Sequence, residues 1–388
     1  MFKYSLPRRA STRLLLAAAS AGALLVPVSA AQASGTIKIG DGDQSISIGL
    51  GMRASAAYDE HGASDGSSST DFNLDSVRLY VNGELTSSIG ATFNTERDGD
   101  GNIKLLDGYA RFQPMDEFNV WIGRMLPPSD RANLDGPYYI SSWSYPGVVS
   151  QYPAKFAGRD DGITVWGKVF DKKLTYAVGA FKGHNRFPGA SNQGHKPLFT
   201  GRLAFNFWDV EDNPGYYTSS TYYGAADILT VAVAGFYQKD GVGTAATAGT
   251  YKSWSVDALM EKKIMDGGAL TLEGAYYNYN LDGVADVAPG FGGSAPTSNV
   301  GGLADGKAFM VSGGVLFPTE VGIGKLQPVA RYQQFKADAT GVKLKQYDAT
   351  LNYIIKGHNA RLSLEYSHFD VSSGGDNDRL TAGVQLQF

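Results

Sequence analysis

Apolar and polar side chains take turns along most of this chain, and the period is two. At the C-terminus Leu380, Ala382, Val384, Leu386 and Phe388 share one face, while Arg379, Thr381, Gly383, Gln385 and Gln387 share the other. Such alternation marks a β-strand lying between two different environments. Sixteen segments carry it, near 44–59, 70–87, 88–97, 103–115, 117–126, 160–171, 172–183, 199–210, 225–239, 250–264, 267–282, 306–319, 323–337, 343–356, 358–372 and 376–388. An even number of strands, joined alternately by short and long links, predicts a closed antiparallel barrel. The long links include 60–69, 127–159, 184–198, 240–249 and 283–305, and the short ones 87–88, 114–116, 170–173, 265–268 and 356–358. The link 209–226 breaks the alternation. It is either an ordered loop at the short-turn end or a sign that the count slips there. The segments starting at 117, 225 and 306 leave open which alternate faces inward.

No segment after residue 33 offers 18 consecutive apolar residues, so no transmembrane helix is expected there. The other backbone that can cross a bilayer is a closed barrel, with its apolar alternates toward lipid and its polar alternates toward water. The expected fold class is therefore all-β: a transmembrane antiparallel barrel of about sixteen strands.

The first 33 residues read as a secretory signal peptide. Lys3, Arg8, Arg9 and Arg13 form a basic start, Leu14 to Val28 is apolar, and Ala31-Gln32-Ala33 fits a cleavage site. Residues 34–388 are expected to form one barrel domain. The whole chain carries a net charge of −4, and removing four basic residues makes the mature chain more acidic, which argues against a nucleic-acid binder. Absence of Cys excludes a disulfide framework. The 49 Gly and 22 Tyr suit tight turns and aromatic girdles at the membrane interface; Tyr58, Trp121, Trp166, Trp208, Tyr237, Trp254, Tyr276 and Tyr353 are read as girdle residues.

The link 127–159 is long and aromatic, and a long structureless loop is normally functional. It holds Asp130, Arg131, Asp135, Tyr138, Tyr139, Trp143, Lys155 and Arg159, and is expected to fold into the lumen and narrow it. The strand phase places Arg53, Arg78, Arg111, Arg124, Lys168, Arg202, Arg331, Arg361 and Arg379 on the lumen wall. Acidic lumen positions are Asp257, Glu261 and Glu273, with Glu84, Asp107, Asp348 and Glu365. Most of the cations fall on one continuous wall, with Asp257, Glu261 and Glu273 opposite. That distribution predicts a field across the lumen; the bland alternative is that these charges pair with one another.

The strand count, the inward third loop and the terminal Phe resemble trimeric sixteen-stranded general porins. The segments Val77 to Leu85 (VRLYVNGEL), Asp107 to Phe112 (DGYARF), Trp121 to Pro127 (WIGRMLP), Arg159 to Gly167 (RDDGITVWG) and Tyr216 to Leu229 (YYTSSTYYGAADIL) are similar to the phosphate-selective porin O and P family. The resemblance implies a homotrimer in the outer membrane of a Gram-negative bacterium, surrounded by lipid and lipopolysaccharide. It implies passive diffusion of small hydrophilic solutes without cofactor or energy coupling; the wall cations against the opposite carboxylates predict an anion (phosphate-like oxyanion) preference, with a sugar-type specificity built from the loop aromatics as the alternative. It also implies recognition of Phe388 by the barrel-assembly machinery. The phosphate-selective members use many loop arginines, whereas this loop sets Arg131, Lys155 and Arg159 beside Asp130, Asp135, Asp160 and Asp161.

Two other signals carry little. Asp98-Gly99-Asp100-Gly101-Asn102 begins like a calcium loop, but Ile103 stands where Gly is needed and Tyr109 where Glu is needed. The five His form no nucleophile–base or metal-ligand pattern, so neither an enzyme nor a metal site is expected. A plugged structural or adhesion barrel remains a further alternative.

Overall fold

The structure is a computed structural model that describes residues 35–39, 42–97, 101–150, 152–153, 156–184, 191–284 and 305–388. The expected signal peptide, Lys155, Asp98 to Asp100 and most of the 283–305 link lie outside the described residues.

The strands are β1 (Gly35–Lys38), β2 (Ser45–Asp59), β3 (Ser69–Thr86), β4 (Ile89–Arg97), β5 (Ile103–Met115), β6 (Phe118–Met125), β7 (Asp160–Val169), β8 (Leu174–Phe181), β9 (Leu198–Asn206), β10 (Ile228–Gly243), β11 (Ala248–Met265), β12 (Gly268–Asn280), β13 (Gly306–Leu316), β14 (Glu320–Val321), β15 (Gly324–Ala337), β16 (Lys343–Lys356), β17 (Ala360–Val371) and β18 (Asp376–Gln387). Sixteen of them are staves of one antiparallel barrel. The short β1 runs beside the start of β2, and β14 forms part of a turn before β15. Closure comes from β18 pairing antiparallel with β2, where Gln385 stands opposite Arg53. Each of the sixteen expected strands matches a stave, and the long link before β10 costs the count nothing.

Burial along the staves is inverted relative to a water-soluble sheet. On β18 Leu380 is 45% and Leu386 39% exposed, while Gln385 is 0% and Gln387 3%. On β17 Leu362 and Leu364 face outward beside buried Arg361, Ser363 and Glu365. Leaving a Leu side chain in water rather than an apolar medium costs about 1.5–3 kcal/mol, so a belt of such residues round the barrel fits hydrocarbon outside. Tyr58, Tyr237, Trp254 and Tyr276 stand in this outer surface as girdle residues would. Two others do not: Trp121 and Trp166 point inward and are buried.

The staves with ambiguous phase are now readable. On β6 the inward residues are Trp121 and Met125, on β10 Thr230, Ala232 and Ala234, and on β13 Ala308 and Met310. Their inner faces are apolar because they meet protein rather than water: the barrel encloses a hydrophobic cluster that includes Trp121, Leu134, Tyr216 and Met310.

Candidate functional site: a lumen entered from both ends

The first inserted segment is 126–159, which leaves β6 at the loop end and turns into the barrel. Its helix, α1 (Arg131–Tyr139), starts where the Asp130 carboxylate accepts hydrogen bonds from the Asn133 backbone N–H (3.3 Å) and side-chain amide (2.7 Å), a favourable N-cap. Past the helix the chain is gripped by the wall. Gln385 Nε2 donates to the Tyr138 carbonyl (3.0 Å), Arg361 Nη1 to Ile140 (2.7 Å), Asn352 Nδ2 to Ser141 (2.8 Å), Arg53 Nη2 to Trp143 (2.6 Å) and Arg331 Nη1 to Ser144 (2.9 Å). Glu365 closes the set by accepting from the Trp143 and Ser144 N–H groups at 2.7 and 2.9 Å. The Trp143 ring lies under the Arg53 guanidinium, 4.0 Å from its centroid, and against Gly383 of β18, where a β-carbon would come within 2.5 Å of the indole.

The second segment is 207–227, which leaves β9 at the short-turn end and rises into the lumen below α1. Glu211 meets Arg131 through both carboxylate oxygens (Nη1 2.9 Å, Nη2 2.6 Å), and Arg131 also donates to the Ser219 carbonyl. The Ser220 N–H donates to the Tyr139 carbonyl, and the Ser220 hydroxyl to Asp135 at 2.7 Å. Glu261 of β11 accepts from the Thr221 hydroxyl and from the Tyr222 and Gly224 N–H groups. Beneath lies an aromatic pad in which the Trp121 ring centroid is 4.8 Å from Tyr109, 5.1 Å from Tyr216 and 5.8 Å from Tyr217. Gly215, at φ +60°, passes so close to this pad that a β-carbon would sit 2.3 Å from the indole. A side chain there would also be strained in the left-handed region.

The charges are mostly paired. Arg78 bonds Glu96 (2.5 Å), Arg111 Glu84 (2.5 Å), Arg159 Asp107 (3.1 Å), Arg202 Asp257 (2.6 Å) and Arg331 Asp348 (2.8 Å), and Arg379 pairs with Asp59. The expected field between a bare cationic wall and opposing carboxylates is thus largely neutralised at contact distance. Arg124 is not on the lumen wall at all. Trp121 and Met125 fix the β6 phase, so Arg124 turns outward and pairs with Asp161 at 2.7 Å. Lys168 does face inward and donates to the Asn213 carbonyl of the second segment. Arg53 and Arg361 have loop carbonyls, not carboxylates, as their hydrogen-bond partners, and both stand in register with Gln385 between them.

Burial shifts the loop acids. Asp130 is pushed up to about 6 by burial, with the Asp257 charge adding. Burial and then Glu273 push Asp135 well above the usual carboxylate range. Glu211 goes the other way: burial opposes it, but the Arg131 charge and hydrogen bonds hold it down to about 2.

Together the two segments occupy much of the lumen. Inward side chains from all round the wall are buried, among them Arg78, Arg202, Asp257, Glu261, Gln333 and Arg361. A vestibule of about 200 Å³ remains toward the loop end beside Arg53, Asp75, Trp143 and Glu365. A smaller chamber of about 50 Å³ lies between the segments and the β3–β5 wall, beside Arg78, Asp107, Asp135 and Arg159. The structure places Asp130, Arg131, Asp135, Tyr138, Tyr139, Trp143 and Arg159 inside the barrel. Sequence reasoning missed Glu211, Tyr216, Tyr217 and Ser220, although the overlong link and the apolar inner face of β6 were both signals of them.

No family model matches the chain, and no curated protein matches it. Solved structures do. Salmonella typhi OmpF in complex with daunomycin superposes with a TM-score of 0.59 at 13% identity, covering 91% of this chain and 100% of that one. The anion-selective porin from Comamonas acidovorans gives 0.57 at 13%, covering 89% and 100%, and the outer membrane channel DcaP of Acinetobacter baumannii 0.55 at 13%, covering 91% and 99%. At such identities the likeness concerns architecture, and on that ground the chain has the sixteen-stranded barrel fold of outer-membrane porins.

Proposed function

We propose that the chain is an outer-membrane porin through which small hydrophilic solutes diffuse passively. One observation carries this reading: a closed barrel wears its Leu, Val and aromatic side chains outside and its ionised and amide side chains inside, an order that makes sense between lipid and an aqueous path. The reading includes export by the 1–33 signal peptide, assembly through Phe388, contact with lipopolysaccharide, and a homotrimer. A trimer form is described for one neighbour of the same fold, Vibrio cholerae OmpT (TM-score 0.51, 13% identity, covering 89% of this chain and 99% of that one).

Anion preference is the finer part. It rests on Arg53 and Arg361, whose guanidinium donors end on carbonyls, rather than on the nine cations expected at the outset. Screened charges at such spacing give a preference, not strict selection. The reversal potential in a potassium chloride gradient checks it: the expected sign is that of chloride over potassium, and a clear cation preference removes the anion part while leaving the pore. A second reading, a closed structural barrel, is favoured by the two segments that occupy much of the lumen, and bilayers that never show conductance steps would select it.

A further inference from the structure

A pore whose lumen is largely occupied widens when an occupying part leaves. The loop 126–159 is bound to the wall on β2, β15, β16, β17 and β18. Segment 207–227 touches the wall through Glu261, Lys168, His358, Lys262 and the Trp121 pad, and touches the loop through Arg131, Asp135 and Tyr139. Its own contribution to the strongest of these contacts is one carboxylate. Arg131 presents the planar fork that recognises a carboxylate by two parallel hydrogen bonds, and Glu211 fills that fork from within the same chain.

The surroundings fit an exchangeable anion. Arg131 and Arg202 share Asp257, whose Oδ1 lies 3.7 Å from Arg131 Nε and whose Oδ2 lies 2.6 Å from Arg202 Nη1. With Glu211 withdrawn, two guanidinium groups face one contacting carboxylate, and the Arg131 fork loses its partner. Tyr222, whose hydroxyl donates to Glu211, withdraws with it. Asp135 is engaged by the Ser220 hydroxyl at 2.7 Å.

We propose, building on the porin reading, that residues 207–227 form a displaceable plug at the periplasmic end, and that Glu211 holds it shut by occupying on Arg131 the seat of a carboxylate-bearing solute. Solute entry and plug release are then one exchange. A ligand that binds the open arrangement and not the closed one shifts the population by its affinity difference, and a carboxylate at Arg131 meets that condition because Glu211 excludes it in the closed form.

The test uses the full-length barrel in planar bilayers, with acetate and chloride as probes. Wild type is expected to open rarely in potassium chloride and about tenfold more often in potassium acetate at equal concentration. Glu211→Gln, which keeps the shape and removes the competing charge, should stay open in both salts. Because the chain has no Cys, the pair Ser220→Cys with Asp135→Cys can be oxidised or bridged by a short bifunctional thiol reagent, and should remain shut until released. Circular dichroism controls for folding. Conduction by the bridged protein equal to wild type overturns the plug while the porin reading stands. Opening of Glu211→Gln with no difference between acetate and chloride in wild type overturns the carboxylate seat. Silence from a variant in which a short Gly-Ser turn replaces 210–225 overturns the porin reading itself.

Discussion

The two inserted segments meet the same wall in different ways. Segment 126–159 is held chiefly by its carbonyl groups, gripped by Arg53, Arg331, Asn352, Arg361 and Gln385 from five staves. Segment 207–227 offers N–H groups to Glu261, carbonyls to Lys168, His358 and Arg131, one carboxylate to Arg131, and two tyrosines to the Trp121 pad. The first arrangement spreads its hold, so loss of any one donor leaves the rest. The second adds to its backbone hydrogen bonds a buried ion pair at Glu211 and an aromatic seat on Trp121, so those two side chains carry a large share of its hold. A barrel can thus carry one insertion as part of its wall and another as a part seated against it.

The sharpest way to break this contrast is Trp121→Ala. Loss of a buried Trp costs about 3–5 kcal/mol, and here much of that should fall on the seat of 207–227. Limited proteolysis from the short-turn side is expected to cut 207–227 at least an order of magnitude faster, with 126–159 unchanged. Equal acceleration of both would show that the two insertions form one unit.

Acid should separate them next. The seated Glu211 lies at about 2 against an ordinary 4.5, so its contribution is complete above pH 4.5 and is lost as pH falls toward 2. The difference amounts to on the order of 3 kcal/mol at full extent. Pepsin cleavage within 207–227 should therefore climb between pH 4 and pH 2 in wild type and change little more than the enzyme's own profile in Glu211→Gln. Asp130 has the opposite sign. Its pKa is raised to about 6, so the stability it lends to 126–159 is present below pH 3.8 and is lost as pH rises through 6.

A smaller effect tests the spread hold. Glu365→Gln leaves one acceptor oxygen for two loop N–H groups, and a buried unsatisfied donor costs about 1–3 kcal/mol. The thermal midpoint should fall, and the protease pattern of 207–227 should not change. Release of 207–227 by this substitution would mean that the hold on the loop is not independent of the plug.

Most of the fold was legible in the sequence because the two faces of each stave meet different media, and alternation such as Leu380, Ala382, Val384 against Thr381, Gly383, Gln385 records that directly. The inward course of the loop was legible from its aromatic content, and the inward phase of Arg53, Arg78, Arg202, Arg331 and Arg361 from the period alone. Pairing was not, since Arg78 and Glu96 or Arg331 and Asp348 meet across neighbouring staves in a register that no linear pattern states. Nor was the fate of 207–227. Its length marked it as an ordered loop or a slip in the count, and its burial depends on Trp121, which a girdle reading assigns to the membrane interface. Where a wall residue's inner partner is protein, the alternation that fixes phase fades. The ambiguity of β6, β10 and β13 was itself the trace of what lies inside.

Trp143 sits where the first and last staves join, its carbonyl held from β2 and its ring resting on Gly383 of β18. That places a clasp from the first half of the chain across a seam made by its two ends. The socket is incomplete until the final strand has docked against the first, so the full seat of Trp143 forms late in assembly. Its indole is a natural late reporter of biogenesis: it becomes shielded only once the circle is complete.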